Sequence, residues 1–353
     1  MFSFLEQKRL LILSLIICML ISLTSCTLNI HENDGNMTID GEYIVRNGDC
    51  LYYNKNFVDN DKRTCGIYRR QLANEIEECV YTTKEITRLF CIDNTVYYMA
   101  KEQENILLYS ITNGSNSPKQ ESVIGSSEKI NMPSEDYTDY RMYKVDNIIY
   151  LLVNSTLLKI DNGKTETVAD GILSLYCNND NIYYSAMPKN DEKFQGIFCY
   201  NMSRKENKLI LSADRIEEYN KNNTKSGSDV ETWHIIEHNN ALYFIGATIP
   251  AVILKYDLAA DSLTGFNEYA EEKWSPYAYT FTVDEDNLYY TASSEKGYVL
   301  MKASTSNTEY KALLLGAVSF MIDGDDIYYY KFNLEGQYEP RVFNLKTQEI
   351  EVL

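Results

Sequence analysis

Short runs of apolar residues, each four to eight long and separated by turns rich in Asp, Asn, Gly and Lys, recur along the chain from about residue 43 to its last residue. The clearest run is a repeated string: "GDCLYY", "DNTVYY", "DNIIYL", "NDNIYY", "NNALYF", "EDNLYY" and "GDDIYY". Its aliphatic anchors are Leu51, Val96, Ile149, Ile182, Leu242, Leu288 and Ile327; each is followed by a tyrosine and preceded, two positions earlier, by Asp or Asn. The anchors lie 33 to 60 residues apart and average 46. A further apolar run follows each anchor ("GIYRR", "ILLYSI", "TLLKID", "GIFCYN", "VILKYD", "YVLMKA", "RVFNL"), others precede it ("LFCI", "MYKV", "SLYC", "WHIIE"), and a fourth closes several units ("EECVYTT", "KLILS", "KALLLGA", "EIEVL"). Runs this short, bounded by such turn residues, predict strands.

Four strands per unit of about 45 residues is the period of a propeller blade, so the pattern predicts an all-β chain folded as a seven-bladed β-propeller with four antiparallel strands per blade. The paired tyrosines fit that architecture. Middle strands of a blade are covered on both faces, so consecutive large side chains are expected there, and a tyrosine fills the space between blades while its hydroxyl reaches a polar edge. The Asp or Asn before each anchor suits a tight hairpin turn. Three longer stretches, 113–120, 125–139 and 217–231, predict inserted loops.

The N-terminus follows a different pattern. Lys8 and Arg9 precede an apolar stretch, Leu10 to Leu23, too short at about 1.5 Å per residue for a bilayer core of about 30 Å. A charged start, a short apolar core and small residues predict a secretory signal. The stretch ends in "LTSC" (Leu23-Thr24-Ser25-Cys26), which resembles the lipobox of bacterial lipoproteins. That resemblance implies cleavage before Cys26, lipidation of Cys26 with acyl chains such as palmitate, and a cell-membrane anchor on the extracytoplasmic face. The organisation expected is therefore a signal peptide (1–25), a lipidated tether (26–40) and the propeller (41–353). The "D/N-x-I-Y-Y … L-Y-K-x-D" repeat, for its part, resembles propeller repeats of bacterial extracytoplasmic lipoproteins of unknown function, over nearly the whole mature chain.

The formal net charge is −18, and −19 once residues 1–25 are removed with one acid and two bases. Such a surface repels phosphate backbones, which disfavours nucleic-acid partners. The six cysteines beyond Cys26 (Cys50, Cys65, Cys79, Cys91, Cys177, Cys199) include no CxxC pair; their state, thiol or disulfide, is left open. The acidic turn Asp323-Gly324-Asp325-Asp326 resembles a calcium loop in isolation, but its sister turns "NNA" and "RNGDC" lack the charge, so the shared turn role explains it and no metal is expected. His234 and His238, four apart on a strand, stand about 13 Å apart, too far for one metal ion. No cofactor is expected. The aromatic residues best placed for recognition are Trp274 and Tyr277, in "EEKWSPYAY" between units. The function expected is a monomeric, non-catalytic binding or scaffolding module for protein or glycan. Two alternatives are a carboxylate-dependent hydrolase or lyase with its site in the central channel, and an accessory subunit in cell-envelope assembly.

Overall fold

The computed structural model describes residues 39–353 apart from connecting segments, the longest being 127–139, 188–193, 224–231, 267–273, 276–280 and 333–337. Seven antiparallel sheets make up the ring, each formed by consecutive strands of the chain except that blade 3 gains an N-terminal strand. Blade 1 consists of Ile44–Asn47, Cys50–Asp59, Lys62–Gln71 and Glu77–Thr83, and blade 7 of Ala317–Asp323, Asp326–Phe332, Tyr338–Asn344 and Ile350–Val352. The five blades between repeat this order. All seven sequence anchors fall in the second strand of a blade, the most thoroughly buried one; in blade 2, Val96, Tyr97, Tyr98, Met99 and Ala100 are all covered. The fourth strands carry the exposed residues, as in "IEV" at 350–352.

The repeat motif is explained by two backbone features and one side-chain row. Asn94 and Asn240 adopt φ of 58° and 60°, while in blades 1 and 7 the preceding glycines, Gly48 and Gly324, take the left-handed conformation. Short polar side chains and glycine tolerate it best. The carbonyl of the motif Asp or Asn then accepts a bond from the residue after the third strand: Leu72 N–H to Asp49 (2.9 Å), Leu258 to Asn240 (3.1 Å), Thr305 to Asp286 (2.8 Å) and Leu345 to Asp325 (2.7 Å). The first tyrosine after the anchor stands opposite a cation on the third strand in four blades: Tyr52 and Arg69, Tyr150 and Lys159, Tyr243 and Lys255, Tyr289 and Lys302. Lys255 and Lys302 hold their ammonium groups 5.8 and 5.2 Å from the ring centroids, a cation–π arrangement.

Two blades depart from four strands. Ile39–Asp40, at the end of the segment read as a tether, pairs with Met142 and Arg141 and so adds a fifth strand to the inner edge of blade 3. The rest of that segment and the leader lie outside the described residues. The first strand of blade 6 is split: Trp274–Ser275 and Phe281–Asp284 pair with the two ends of the same second strand.

The stretch 217–231, expected as a loop, begins inside an α-helix, Ala213–Asn223. Ser212 Oγ accepts the Arg215 N–H (3.4 Å) as an N-cap, Ile216 is fully buried, and Asn220 Nδ2 donates to Gly246 O of blade 5 (3.0 Å). The Tyr219 hydroxyl accepts the Gly265 N–H (2.7 Å). The helix thereby fills the gap between blades 4 and 5, joining their shared core. Among the described residues no helix is long and apolar enough to cross a membrane.

Among the described residues no strand is exchanged between blades 7 and 1, and side chains join the two blades. Ile44, Leu51, Tyr53, Tyr328 and Tyr330 form one buried cluster across this seam. The Tyr330 hydroxyl donates to Asn54 O and lies 3.3 Å from Tyr43 O, and its ring meets Tyr43 edge-on at 6.1 Å. Arg46 pairs with Asp323, and Arg70 with Glu351 (2.7 Å). The acids of "DGDDIYYYK" thus have ordinary partners: Asp323 with Arg46, Asp325 with Lys346, and Asp326 with Asn344 Nδ2 (2.7 Å).

Candidate functional site

The first strands converge on the central channel, and their register places one residue in each of six blades at the same level, eight positions before the anchor in five of them; the blade 6 position lies outside the described residues. These are Tyr43, Arg88, Arg141, Ser174 and Ser319, with Trp233 nine before its anchor because that strand is bulged. First strands are also bulged between Ile172 and Ser174 and between Ala317 and Ser319, next to this level. A bulge re-aims side chains and increases local twist. The level is basic and aromatic. The Arg88 guanidinium sits 4.1 Å from the Tyr43 ring centroid. Arg141, 1% exposed, donates from Nη1 to Leu175 O of blade 4 (3.2 Å) and Ile235 O of blade 5 (2.5 Å). Ser174 Oγ accepts the Ile235 N–H (2.9 Å). A buried guanidinium bridging the carbonyls of two further blades ties three of them together at the axis; charged donors make the stronger hydrogen bonds. These arginines were not singled out in the sequence, although an arginine in place of the apolar residue expected there is the available signal.

Both histidines of "WHIIEH" act between blades. His234, with φ of 53° at the bulge, places Nε2 2.9 Å from Phe281 O and its ring edge-on to Phe281 at 4.6 Å; His238 Nε2 lies 2.6 Å from Glu285 O. Blade 5 is thus clamped to blade 6, each imidazole meeting a backbone carbonyl of that blade. Among the described residues no group of three or more His, Cys, Asp and Glu is placed to hold a metal ion.

The described carboxylates whose pKa is displaced are displaced downward. Tyr109 and Tyr81 donate to Glu102 (2.5 and 2.8 Å) and lower its pKa. The backbone N–H groups of Ala260 and Ala259 do the same for Asp257, and Tyr256 and Arg215 for Asp261. For Glu77, burial raises the pKa but is outweighed by the bonds from Tyr53 and Lys55. These are ionised structural acceptors. A general acid with a raised pKa, which a carboxylate enzyme in the channel calls for, is not among them.

Trp274 lies on the split first strand of blade 6, its backbone paired with Ser294, rather than in a connection between units. Tyr277 and Cys26 fall outside the described residues. Cys50, Cys79, Cys91, Cys177 and Cys199 are present as thiols, and burial pushes Cys91 up to about 11. Two clefts flank blade 7: one of about 580 Å³ at the seam with blade 1, where Arg70 lies among Glu75, Glu349 and Glu351, and one of about 740 Å³ facing blade 6.

No protein-family model matches the chain, and no curated protein matches it. Solved structures do. The acylaminoacyl peptidase of Pyrococcus horikoshii aligns over 89% of this chain and 52% of its own length, with 10% identity and a TM-score of 0.58. A puromycin-hydrolyzing peptidase of Mycobacterium tuberculosis aligns over 89% and 53%, at 9% identity and a TM-score of 0.56. The β-propeller domain of the trilobed protease of Pyrococcus furiosus, described as having an open velcro topology, aligns over 89% and 96%, at 11% identity and a TM-score of 0.56. This chain spans about half the length of the two peptidases. These neighbours correct the expectation of a purely non-catalytic binding or scaffolding module, because the matching rings are those of peptidases. The repeat pattern reports how blades pack and carries nothing about the chemistry a ring serves, which is why the sequence misled on this point. At such identities the likeness establishes the fold: a seven-bladed propeller.

Proposed function

We propose that this chain is the propeller part of an extracytoplasmic peptide hydrolase, with the hydrolytic centre lying outside the described residues of the ring. One observation carries the reading. Among the described residues blades 1 and 7 are each built from consecutive strands and share none, so side chains join them at the seam, and rings of this fold align with the propellers of peptidases. The described channel offers structural rather than nucleophilic groups: Ser174 and His234 are both engaged with backbone, and Arg141 is bonded to two carbonyls. In this reading the ring confines and orients peptide.

The lipoprotein reading is part of the same proposal. Cleavage before Cys26 and acylation of its thiol and new amino group would hold the ring at the membrane, since two or more chains make attachment stable where one is marginal. Membranes from cells with and without the chain, assayed on a panel of fluorogenic aminoacyl and blocked-aminoacyl substrates, test the reading. Loss of at least one activity on deletion, restored by the full gene, is expected; an unchanged panel contradicts it. Cys26→Ala is expected to move the protein from the membrane to the soluble fraction. A membrane-bound, normally processed variant refutes the anchor.

A further inference from the structure

The cleft between blades 6 and 7 differs in charge from its counterparts around the ring. In blade 1 the third-strand cation Arg69 stands opposite Glu78 and bonds it through Nε (2.7 Å), and in blade 3 Lys159 stands opposite Glu166. In blade 5, Lys255 donates to Thr305 O of the next blade (3.0 Å). In blade 6 the equivalent Lys302 stands opposite another lysine, Lys311. Like charges directly opposite on adjacent strands are destabilising. Among the described residues neither lysine makes an ion pair, although the chain carries 51 acids against 33 bases. Lys302 rests on the Tyr289 ring, which leaves its ammonium face toward the cleft uncompensated by a carboxylate.

The cleft is open to solvent and of ligand size. It measures about 740 Å³, inside the range of about 300–1,000 Å³ usual for small-molecule pockets. Among the described residues no carboxylate lines it; its apolar lining comes from Leu313, Leu314, Phe343 and Leu345, beside the lysine pair. We infer that this cleft binds a small organic anion, its carboxylate between Lys302 and Lys311 and its apolar body along the apolar lining beside Phe343. The site is separate from the channel, and the inference does not depend on the peptidase reading.

The test is calorimetric titration of the full chain with 4-phenylbutyrate, with 4-phenylbutylamine (the same body, opposite charge) and inorganic phosphate (a head without a body) as companions. Saturable binding of one 4-phenylbutyrate per chain is expected, at least tenfold tighter than either companion, and at least tenfold weaker in Lys302→Gln/Lys311→Gln. The amine binding as tightly, phosphate binding as tightly, the double variant binding unchanged, or no saturable binding would each overturn it. Lys311→Gln without ligand is expected to melt no lower than the parent, because it relieves a like-charge pair; a lower melting temperature would show that Lys311 has a structural partner and would overturn the reading of the pair.

Discussion

Tyr330 is the third tyrosine of "DIYYYK", the residue by which blade 7 exceeds the repeat pattern, and it occupies the seam between blades 7 and 1, where the described residues exchange no strand. It is 2% exposed, its hydroxyl bonds Asn54 O of blade 1, and burial holds its pKa well above the ordinary value. In the sequence it reads as a surplus aromatic; its role depends on a neighbour 276 residues away, which no local pattern reveals. Tyr330→Phe keeps the ring and removes the donor, and is expected to cost about 1–3 kcal/mol. The measurement is the thermal melting temperature, which should fall by several degrees; an unchanged melt would mean that the seam does not rely on this bond.

At the level of elements, the strands were legible because apolar runs and turn residues alternate at the scale of a hairpin, and because one motif recurs seven times. The helix Ala213–Asn223 was not. Its buried face consists of Ile216, Tyr219 and Asn220, one turn of apolar stripe containing a buried amide, so its periodicity is too short to register against the surrounding polar residues. The split first strand of blade 6 was equally hidden, since "WSPYAY" has no alternation and Pro276 interrupts it. The lysine pair of blade 6 needs cross-strand register to be seen at all. Asn220 anchors the helix to blade 5, so Asn220→Ala is expected to release it. Hydrogen exchange should speed up in residues 213–223 with little change in the strands of blade 5. Equal protection in the variant would show that Ile216 and Tyr219 hold the helix unaided.

For the whole molecule, tyrosine is the dominant material between blades, with 30 in the chain. Burial pushes Tyr150, Tyr243 and Tyr328 up to about 12 from an ordinary 10. A phenol whose folded pKa is raised contributes stability that is fully present below the unfolded value and is lost as pH rises through the folded one. Alkaline unfolding is therefore expected between about pH 10 and 12, with tyrosinate absorbance and loss of sheet circular dichroism rising together. A non-cooperative titration near pH 10 with the sheet intact would show that these hydroxyls reach water in the folded ring.

In the proposed function the ring is the propeller part of a peptide hydrolase whose hydrolytic centre lies outside the described blades. The direct measurement is hydrolysis of fluorogenic peptides by the full chain isolated from its native membranes under mild conditions, alongside Tyr330→Ala isolated in the same way. The account predicts peptide hydrolysis that co-purifies with the chain and falls at least tenfold when the seam is broken. A preparation of intact, folded rings that hydrolyses no peptide, or one whose activity is indifferent to Tyr330→Ala, would contradict it.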